Sequence, residues 1–441
     1  MNSVSIQDIG PLGKVSLSLE SSMQIFIGPQ ASGKSTLCKV VFFCRRIRDY
    51  VLAYAGDIWN QRVSGDLYVG FLKSLKNPFI GCFGTTKHMD SFLIEYRYSE
   101  SKYVKIQLDE SNFVRFTFSE SLWTPIKELL AQAKSISEQR IGSFAYDYQA
   151  QQNYLAMLKQ ELYKLFEDDA VLLYIPAGRN MLATIPDLIL PKEAPEKILE
   201  QQDISQTDLF TQSFIRYIKS MQYRFGSKLD EIVENYAKTV SGKLQYRDVE
   251  LAGKLIKEIL KADYVYGRDG DRLYYESSKW IKLMFASSGQ QEVLWALNCI
   301  FLAILQKEKT FFVFEEPESH IFPDSQMEMM KLVALLINST GSEVFVTTHS
   351  PYILTATNLL LYSGQLEQEK KGGIIEQKYR LKANSVDAYL VNTGKKNLTR
   401  LLDEDNPLVE AAKIDQISDW INQKMDALLE LEISAGGSIE Q

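Results

Sequence analysis

The sequence predicts an α/β fold, a mainly parallel sheet with helices on its faces, interrupted by a long insert. Three observations lead there. From residue 281 on, helix and strand alternate: Gln290–Leu305 is helical, Thr310–Phe314 a strand, Asp324–Ile337 a helix and Glu343–Thr347 a strand, the order in which a sheet with covering helices is built. Near the start, the apolar run Met23–Ile27 leads into glycine, and a helical pattern follows from Thr36 to about Tyr54. Between these parts, roughly 57–280, the rhythm changes to short alternating runs followed by helical stretches.

Taken in order, Val4–Ile6 and Val15–Leu19 flank the turn Gly10-Pro11-Leu12-Gly13 and read as a pair of strands. The helix after Thr36 places Leu37, Val40, Val41 and Phe42 on its apolar side and leaves Arg45, Arg46 and Arg48 solvated. In the middle region Phe92–Tyr98, Tyr103–Leu108 and Phe113–Phe118 alternate as strands do, and helices are expected around 121–167, 207–238 and 249–262. Val171–Ile175 reads as a buried strand, and Tyr264–Tyr266 and Leu273–Tyr275 as a hairpin about Arg268-Asp269-Gly270-Asp271. No heptad pattern persists over several repeats, so no long coiled-coil arm is expected. The tail carries an amphipathic pattern at Ile414, Ile417, Ile421, Met425 and Leu428; a helix docked on the domain and a dimer-forming helix both fit it.

Composition narrows the class. The chain of 441 residues is 45% hydrophobic and 24% charged, an ordinary globular balance. No stretch reaches the ~18 apolar residues of a membrane helix, and the opening MNSVSIQDIG lacks a signal peptide's basic segment and apolar core. A cytoplasmic protein with no membrane partner is therefore expected. The four cysteines show no metal or disulfide spacing and read as small buried apolar groups. A formal charge of −7 gives polyanions no bulk attraction, though a local basic patch could still bind DNA.

The most specific motif is Gly28-Pro29-Gln30-Ala31-Ser32-Gly33-Lys34-Ser35, a match to G-x-x-x-x-G-K-[ST] with a strand before it and a helix after. Its glycines let the loop wrap closely, so that backbone N–H groups and the helix N-terminus face phosphate oxygens. ATP with Mg²⁺ is the implied ligand. Gly28, Gln30, Ser32, Gly33, Lys34, Ser35 and Thr36 are the expected nucleotide contacts, Lys34 at the β- and γ-phosphates, Thr36 near the α-phosphate and Ser35 on the metal.

Phe311-Phe312-Val313-Phe314 is an apolar strand ending in Glu315-Glu316, and acids at a strand's carboxyl end sit where α/β sheets bind ligands. Glu315 is the expected Mg²⁺ ligand, through water, and Glu316 the base that orients and deprotonates the attacking water. Glutamate at 315, where aspartate is usual, changes the reach by one methylene. Ser287, Ser288, Gly289 and Gln290 open the helix before that strand. A hydroxyl and a glycine N–H at a helix N-terminus suit a γ-phosphate, and Ser287 is equally a good helix cap. His349 follows the strand Glu343–Thr347, in Thr347-Thr348-His349-Ser350-Pro351.

Phosphate loop, serine-glycine helix start, strand-end acids and following histidine, in that order, resemble the ABC/SMC ATPase head, specifically over residues 1–43 and 281–361. The resemblance implies a mainly parallel sheet with an antiparallel β subdomain and a large, mainly helical insert. Residues 1–56 and 281–361 would be its core lobes, 57–280 the insert, and 362–441 a β-hairpin with an amphipathic helix. It makes Ala286–Gln290 a degenerate signature serving the nucleotide of another copy, His349 the switch histidine, and Glu318-Ser319-His320 the D-loop. A homodimer or higher assembly follows. The runs Phe314-Glu315-Glu316-Pro317-Glu318-Ser319-His320-Ile321-Phe322-Pro323 and Thr347-Thr348-His349-Ser350-Pro351, with Tyr174-Ile175-Pro176-Ala177-Gly178-Arg179, resemble RecF-like, OLD-family and related prokaryotic defence ATPases of the Septu PtuA and PARIS AriA kind. For Arg179 two readings stand: contact with phosphate or a partner, or a surface arginine in a loop. The remaining 362–441 hold Asp403-Glu404-Asp405, but no Toprim pattern of a strand-end glutamate and a strand-borne DxD, so no nuclease is expected in the chain. The resemblance implies an ATPase sensor or scaffold for a separately encoded effector, a nuclease, in antiphage defence; a RecF-like repair ATPase binding DNA directly is the alternative.

Overall fold

The computed structural model describes residues 2–87, 89–139, 148–183, 208–239, 243–366, 374–396, 398–402, 408–409 and 423–428. The acidic run at 403–405 and most of the tail pattern at 414–428 lie outside them.

A six-stranded central sheet carries the architecture. Its strands are β3 (Met23–Ile27), β7 (Val171–Ile175), β11 (Thr310–Glu315), β12 (Glu343–Thr348), β13 (Val386–Val391) and β15 (Leu398–Arg400), in the spatial order β15-β13-β3-β12-β11-β7. The five strands from β13 to β7 run parallel, and β15 closes one edge antiparallel. β7 arises inside the stretch expected as the insert, yet it takes the edge beside β11. β13 comes from the C-terminal stretch and pairs with the phosphate-loop strand β3.

The inner strands β3, β11 and β12 are buried on both faces, which is why they read as continuous apolar runs rather than alternating ones. Met23, Ile25, Ile27, Phe312, Phe314, Val344 and Val346 belong to one core, shared with helices α8 (Lys243–Leu260), α9 (Ser288–Gln306), α10 (Pro323–Thr340) and α11 (Pro351–Gln365). Phe26, Phe311, Val313 and Phe345 point the other way, into a second core formed with α1 (Lys34–Trp59). There Phe345 meets Phe26 and Phe311 edge-on, with ring centroids 5.4 and 5.0 Å away.

The second core also belongs to a mainly antiparallel sheet, β14 (Gly394–Lys396), β2 (Leu12–Ser18), β1 (Ser3–Ile9), β4 (Leu93–Arg97), β5 (Tyr103–Leu108) and β6 (Val114–Phe118), in that order, with only β14 parallel to its neighbour β2. Helices α2 (Leu67–Ser74), α3 (Lys76–Phe83), α4 (Glu120–Gln139) and α5 (Tyr148–Phe166) pack on it and on α1. A third sheet orders β8 (Asp263–Gly267), β9 (Gly270–Tyr274) and β10 (Trp280–Lys282), with α6 (Leu209–Gln222) and α7 (Leu229–Thr239) preceding it in the chain. The turn between β8 and β9 is two residues, Arg268 and Asp269, because Gly267 pairs with Gly270, so the strands run further into the expected loop.

The arginines of α1 depart from expectation. Arg45 and Arg48 are buried, since their side of α1 is enclosed between the two sheets. Asp168 supplies the counter-charge: Arg45 donates to both its oxygens at 2.8 and 2.7 Å and also to Glu343 at 2.6 Å. Arg48 pairs with Asp168 at 2.9 Å and donates to the Asp168 and Ala170 carbonyls. Arg46 alone stays partly exposed, reaching Ser213 at 3.2 Å. All four cysteines are free and buried, and among the described residues no helix is long and apolar enough to cross a membrane.

Candidate functional site

The loop between β3 and α1 owes its shape to two glycines. A Cβ on Gly28 would come 2.1 Å from the Val391 carbonyl oxygen of β13, so only glycine lets the loop leave the sheet there. Gly33 has φ 102° and abuts Leu12, where a Cβ would fall 2.5 Å from a methyl. No side chain caps α1 and no acid occupies its first turn, which leaves first-turn N–H groups open to an anion. Lys34 curls back, its Nζ donating to the carbonyls of Gly28 and Pro29 at 2.9 Å each. Burial lowers its pKa, with Glu316, Glu318 and Glu315 pulling the other way. An ammonium has three donors, so one remains for a ligand.

Around this loop lies a cleft of about 200 Å³ that Gln30, Ser32, Gly33, Lys34, Ser35 and Thr36 line with Glu316 and His349. Gly28 sits behind it, at the base of the loop. Pro11, Ala31 and Thr347 complete the lining; no spacing in the sequence singles out Pro11, since the β1–β2 turn reaches the cleft only through the tertiary fold. The Ser32 hydroxyl is buried and has no hydrogen-bond partner, an unsatisfied donor that a phosphate oxygen suits. Among the described residues no group of three acids, histidines or cysteines could cage a metal. Mg²⁺ in such a setting is held by one or two protein groups, water and the nucleotide's phosphates. The donor set fits nucleotide with Mg²⁺.

The strand-end acids differ in situation. Glu315 is buried, its oxygens accepting from Tyr174 Oη at 2.7 Å and the Ala177 N–H at 3.1 Å. Burial, then the charge of Glu315, raises the Tyr174 phenol well above its ordinary pKa, so it stays a donor. Glu316 turns out of the strand with φ 45°, the left-handed region, and at 38% side-chain exposure faces His349, 3.6 Å from its Nε2. Such backbone in a non-glycine residue is uncommon and clusters at functional sites. Ser319 donates to the other Glu316 oxygen at 3.2 Å. One oxygen of Glu318 accepts from Thr348 Oγ1 and the His349 N–H, both at 2.7 Å, which pins the histidine's backbone beside the cleft. Gln326 ties the next turns together, donating to the Ile321 carbonyl and accepting from Ser350 Oγ.

Ser287, Ser288, Gly289 and Gln290 stand apart from this cleft, at the N-terminus of α9. Ser287 and Gln290 form a reciprocal capping box, and Gln290 also donates to the Leu260 carbonyl. Ser287 and Ser288 are exposed. Gly289 lies so close to the turn after β11 that a Cβ would meet the His320 carbonyl oxygen at 2.4 Å.

Neither expectation for Arg179 holds. It is 0% exposed, held by the carboxylate of Glu292 on α9, because the turn after β7 passes beneath that helix. Its guanidinium donates to the carbonyls of Glu292, Pro176, Glu315 and Glu316 at 2.8, 2.7, 2.6 and 3.1 Å. Glu292 also accepts from the Asn180 N–H at 2.7 Å. The arginine therefore bolts the serine-glycine helix to the turn that carries Glu316. Four partner carbonyls and one carboxylate from three separate segments left no spacing in the sequence to find.

A phosphate-gripping loop between strand and helix, with an acid and a histidine from neighbouring strand ends, defines a nucleotide-binding α/β domain of the P-loop class. A family model described as "AAA ATPase domain" matches residues 1–354, and the chain belongs to that family. No curated protein matches. Among solved structures, an SMC head bound to the C-winged helix domain of ScpA is similar at 10% identity and TM-score 0.40, over 91% of this chain and 98% of that one. The SMC head domain from Thermotoga maritima gives 9% and 0.36 over 91% and 98%. An SMC head with an extended coiled coil bound to the C-terminal domain of ScpA, from Pyrococcus furiosus, gives 10% and 0.37 over 95% and 98%.

Proposed function

We propose that the chain binds and hydrolyses ATP with Mg²⁺ at sites shared between two copies, and that this cycle drives a separate effector. The observation that carries it is the single cleft lined by Lys34, Ser35, Glu316 and His349. The free donor of Lys34 and the open N–H groups of α1 neutralise phosphate charge. Mg²⁺, when bound, adds Lewis-acid charge at the phosphates, with Ser35 as its protein ligand and Glu315 behind it, each carboxylate oxygen keeping a lone pair. Glu316 takes the proton of the attacking water, and His349, fixed by Glu318, faces the same space.

The shared arrangement rests on Ser287 and Ser288. They are exposed at a helix N-terminus outside their own chain's cleft, so as phosphate donors they serve another copy. ATP then acts as a clamp whose hydrolysis releases the pair, a shift set by differential affinity for the closed form. The defence role and the nuclease effector rest on the resemblance of the 314–323 and 347–351 runs alone. The experiment is Glu316→Gln: ATP binding persists, turnover falls ~10²–10⁴-fold, and the copies accumulate as an ATP-held assembly in sedimentation. A variant that turns over normally refutes the assignment.

A further inference from the structure

The outer edge of the mainly antiparallel sheet carries outward backbone groups without partners among the described residues. β6 is the last strand in its order, paired among the described residues only with β5. At its two ends the Asp109 N–H bonds the Phe113 carbonyl and the Ser119 N–H bonds the Tyr103 carbonyl. Antiparallel pairing alternates, so Arg115 and Thr117 also bond inward to β5, while the N–H and C=O groups of Val114, Phe116 and Phe118 point outward. No described residue accepts from or donates to them.

Beside this edge runs a groove of about 380 Å³ between β6 and the helices. Val69, Leu72, Phe118 and Trp123 form its apolar wall, with Val69 at 49% exposure and the Phe118 and Trp123 rings stacked at 5.5 Å. Lys73, Lys76 and Arg115 rim it. The one acid in the lining, Asp109, is occupied in its own turn, accepting from the Ser111 and Phe113 N–H groups. On a chain of net charge −7 this is a locally cationic groove.

We propose that this groove binds an extended, acidic segment of a partner protein, which adds to β6 as a further strand. Three successive outward N–H/C=O pairs supply the ladder, alternate side chains of the incoming strand fill the apolar wall, and its carboxylates meet the three cations. Long exposed edges are normally blunted by charge or covered; here three cations outnumber the one acid, Asp109, and flank an apolar trough, which selects a partner rather than excluding all. The inference does not depend on the nucleotide reading, so the two can fail separately.

The probe is a fluorescent decapeptide alternating valine and glutamate, with a valine–lysine counterpart and an oligothymidylate of similar length, titrated against the full chain. The acidic peptide should bind saturably, weaken with salt, and slow amide hydrogen exchange over residues 113–119. Reversing charge in Lys73→Glu/Lys76→Glu/Arg115→Glu should weaken it at least ~10-fold. Val114→Pro removes an outward donor at the first residue of an edge strand, where proline is tolerated, and should abolish the exchange protection. Unaltered circular dichroism and melting temperature show that both variants fold. Equal binding of the lysine peptide, no binding of the acidic one, or unchanged binding by Val114→Pro overturns the proposal, and preference for the oligothymidylate assigns the groove to nucleic acid instead.

Discussion

Glu292→Gln should slow turnover far more than it weakens nucleotide binding. The substitution keeps size and shape but strips the counter-charge from an arginine that is 0% exposed. An amide can accept from only one of the Arg179 and Asn180 N–H groups that the carboxylate now serves. Leaving a buried charge uncompensated costs about 3–5 kcal/mol, a large part of the 5–15 kcal/mol typical of a folded domain, so the melting temperature should drop by several degrees while the chain stays folded in the cold. Burial already lowers the Arg179 pKa against the opposing charge of Glu292, and the change removes that opposition. Arg179 donates to the carbonyls of Glu315 and Glu316; once unanchored, it lets the left-handed turn at Glu316 drift. A displacement near 1 Å of a reacting group costs on the order of 10²-fold in rate. The phosphate loop keeps its own contacts, so ATP affinity should stay within a few-fold. Single-turnover hydrolysis, titration with a fluorescent ATP analogue and thermal melting read the three quantities. A lowered melting temperature with an unchanged rate would refute the reasoning and make Arg179 purely a packing residue.

Three more outcomes are expected. Lys34→Ala should abolish measurable ATP binding, because the ammonium facing the β/γ-phosphates is gone; unchanged affinity in the same titration removes the phosphate-loop assignment. Ser288→Arg should spare ATP binding but stop turnover, and mixing it with Lys34→Ala should recover partial activity in exchanged dimers. Gly289 is a poor choice for that experiment, since any side chain collides with the His320 carbonyl. Burial favours the neutral form of Asp168, but Arg45 and Arg48 outweigh it and hold its carboxyl below the usual range. Its contribution is therefore present above the unfolded value of about 3.9 and lost as pH falls through the lower folded one. Asp168→Asn should destabilise the chain at pH 7 and flatten its loss of stability in acid, as melts across pH will show.

Local signals in the sequence were legible where structure is local. Met23–Ile27 forms the strand its apolar run implies, bounded by serines and glycine, and the loop to Ser35 follows from its own glycines. Reading failed where partners are remote. Arg45 and Arg48 look like the polar side of a surface helix until Asp168, more than a hundred residues on, is placed against them. Arg179 is the same case, its partners coming from Glu292, Glu315 and Glu316. The strand-end acids could be found from the strand, but the separate settings of Glu315 and Glu316 depend on Tyr174 and on one left-handed residue.

The position of β13 bears on how the protein matures during synthesis. The phosphate-loop strand lies between β12 and β13, and Gly28 rests against Val391. A nascent chain that has emerged as far as residue 354 already carries every nucleotide motif, yet its loop lacks one wall. Until residue 391 has emerged, β3 therefore offers an open edge to neighbouring chains. Chaperone dependence should concentrate in that late interval of translation.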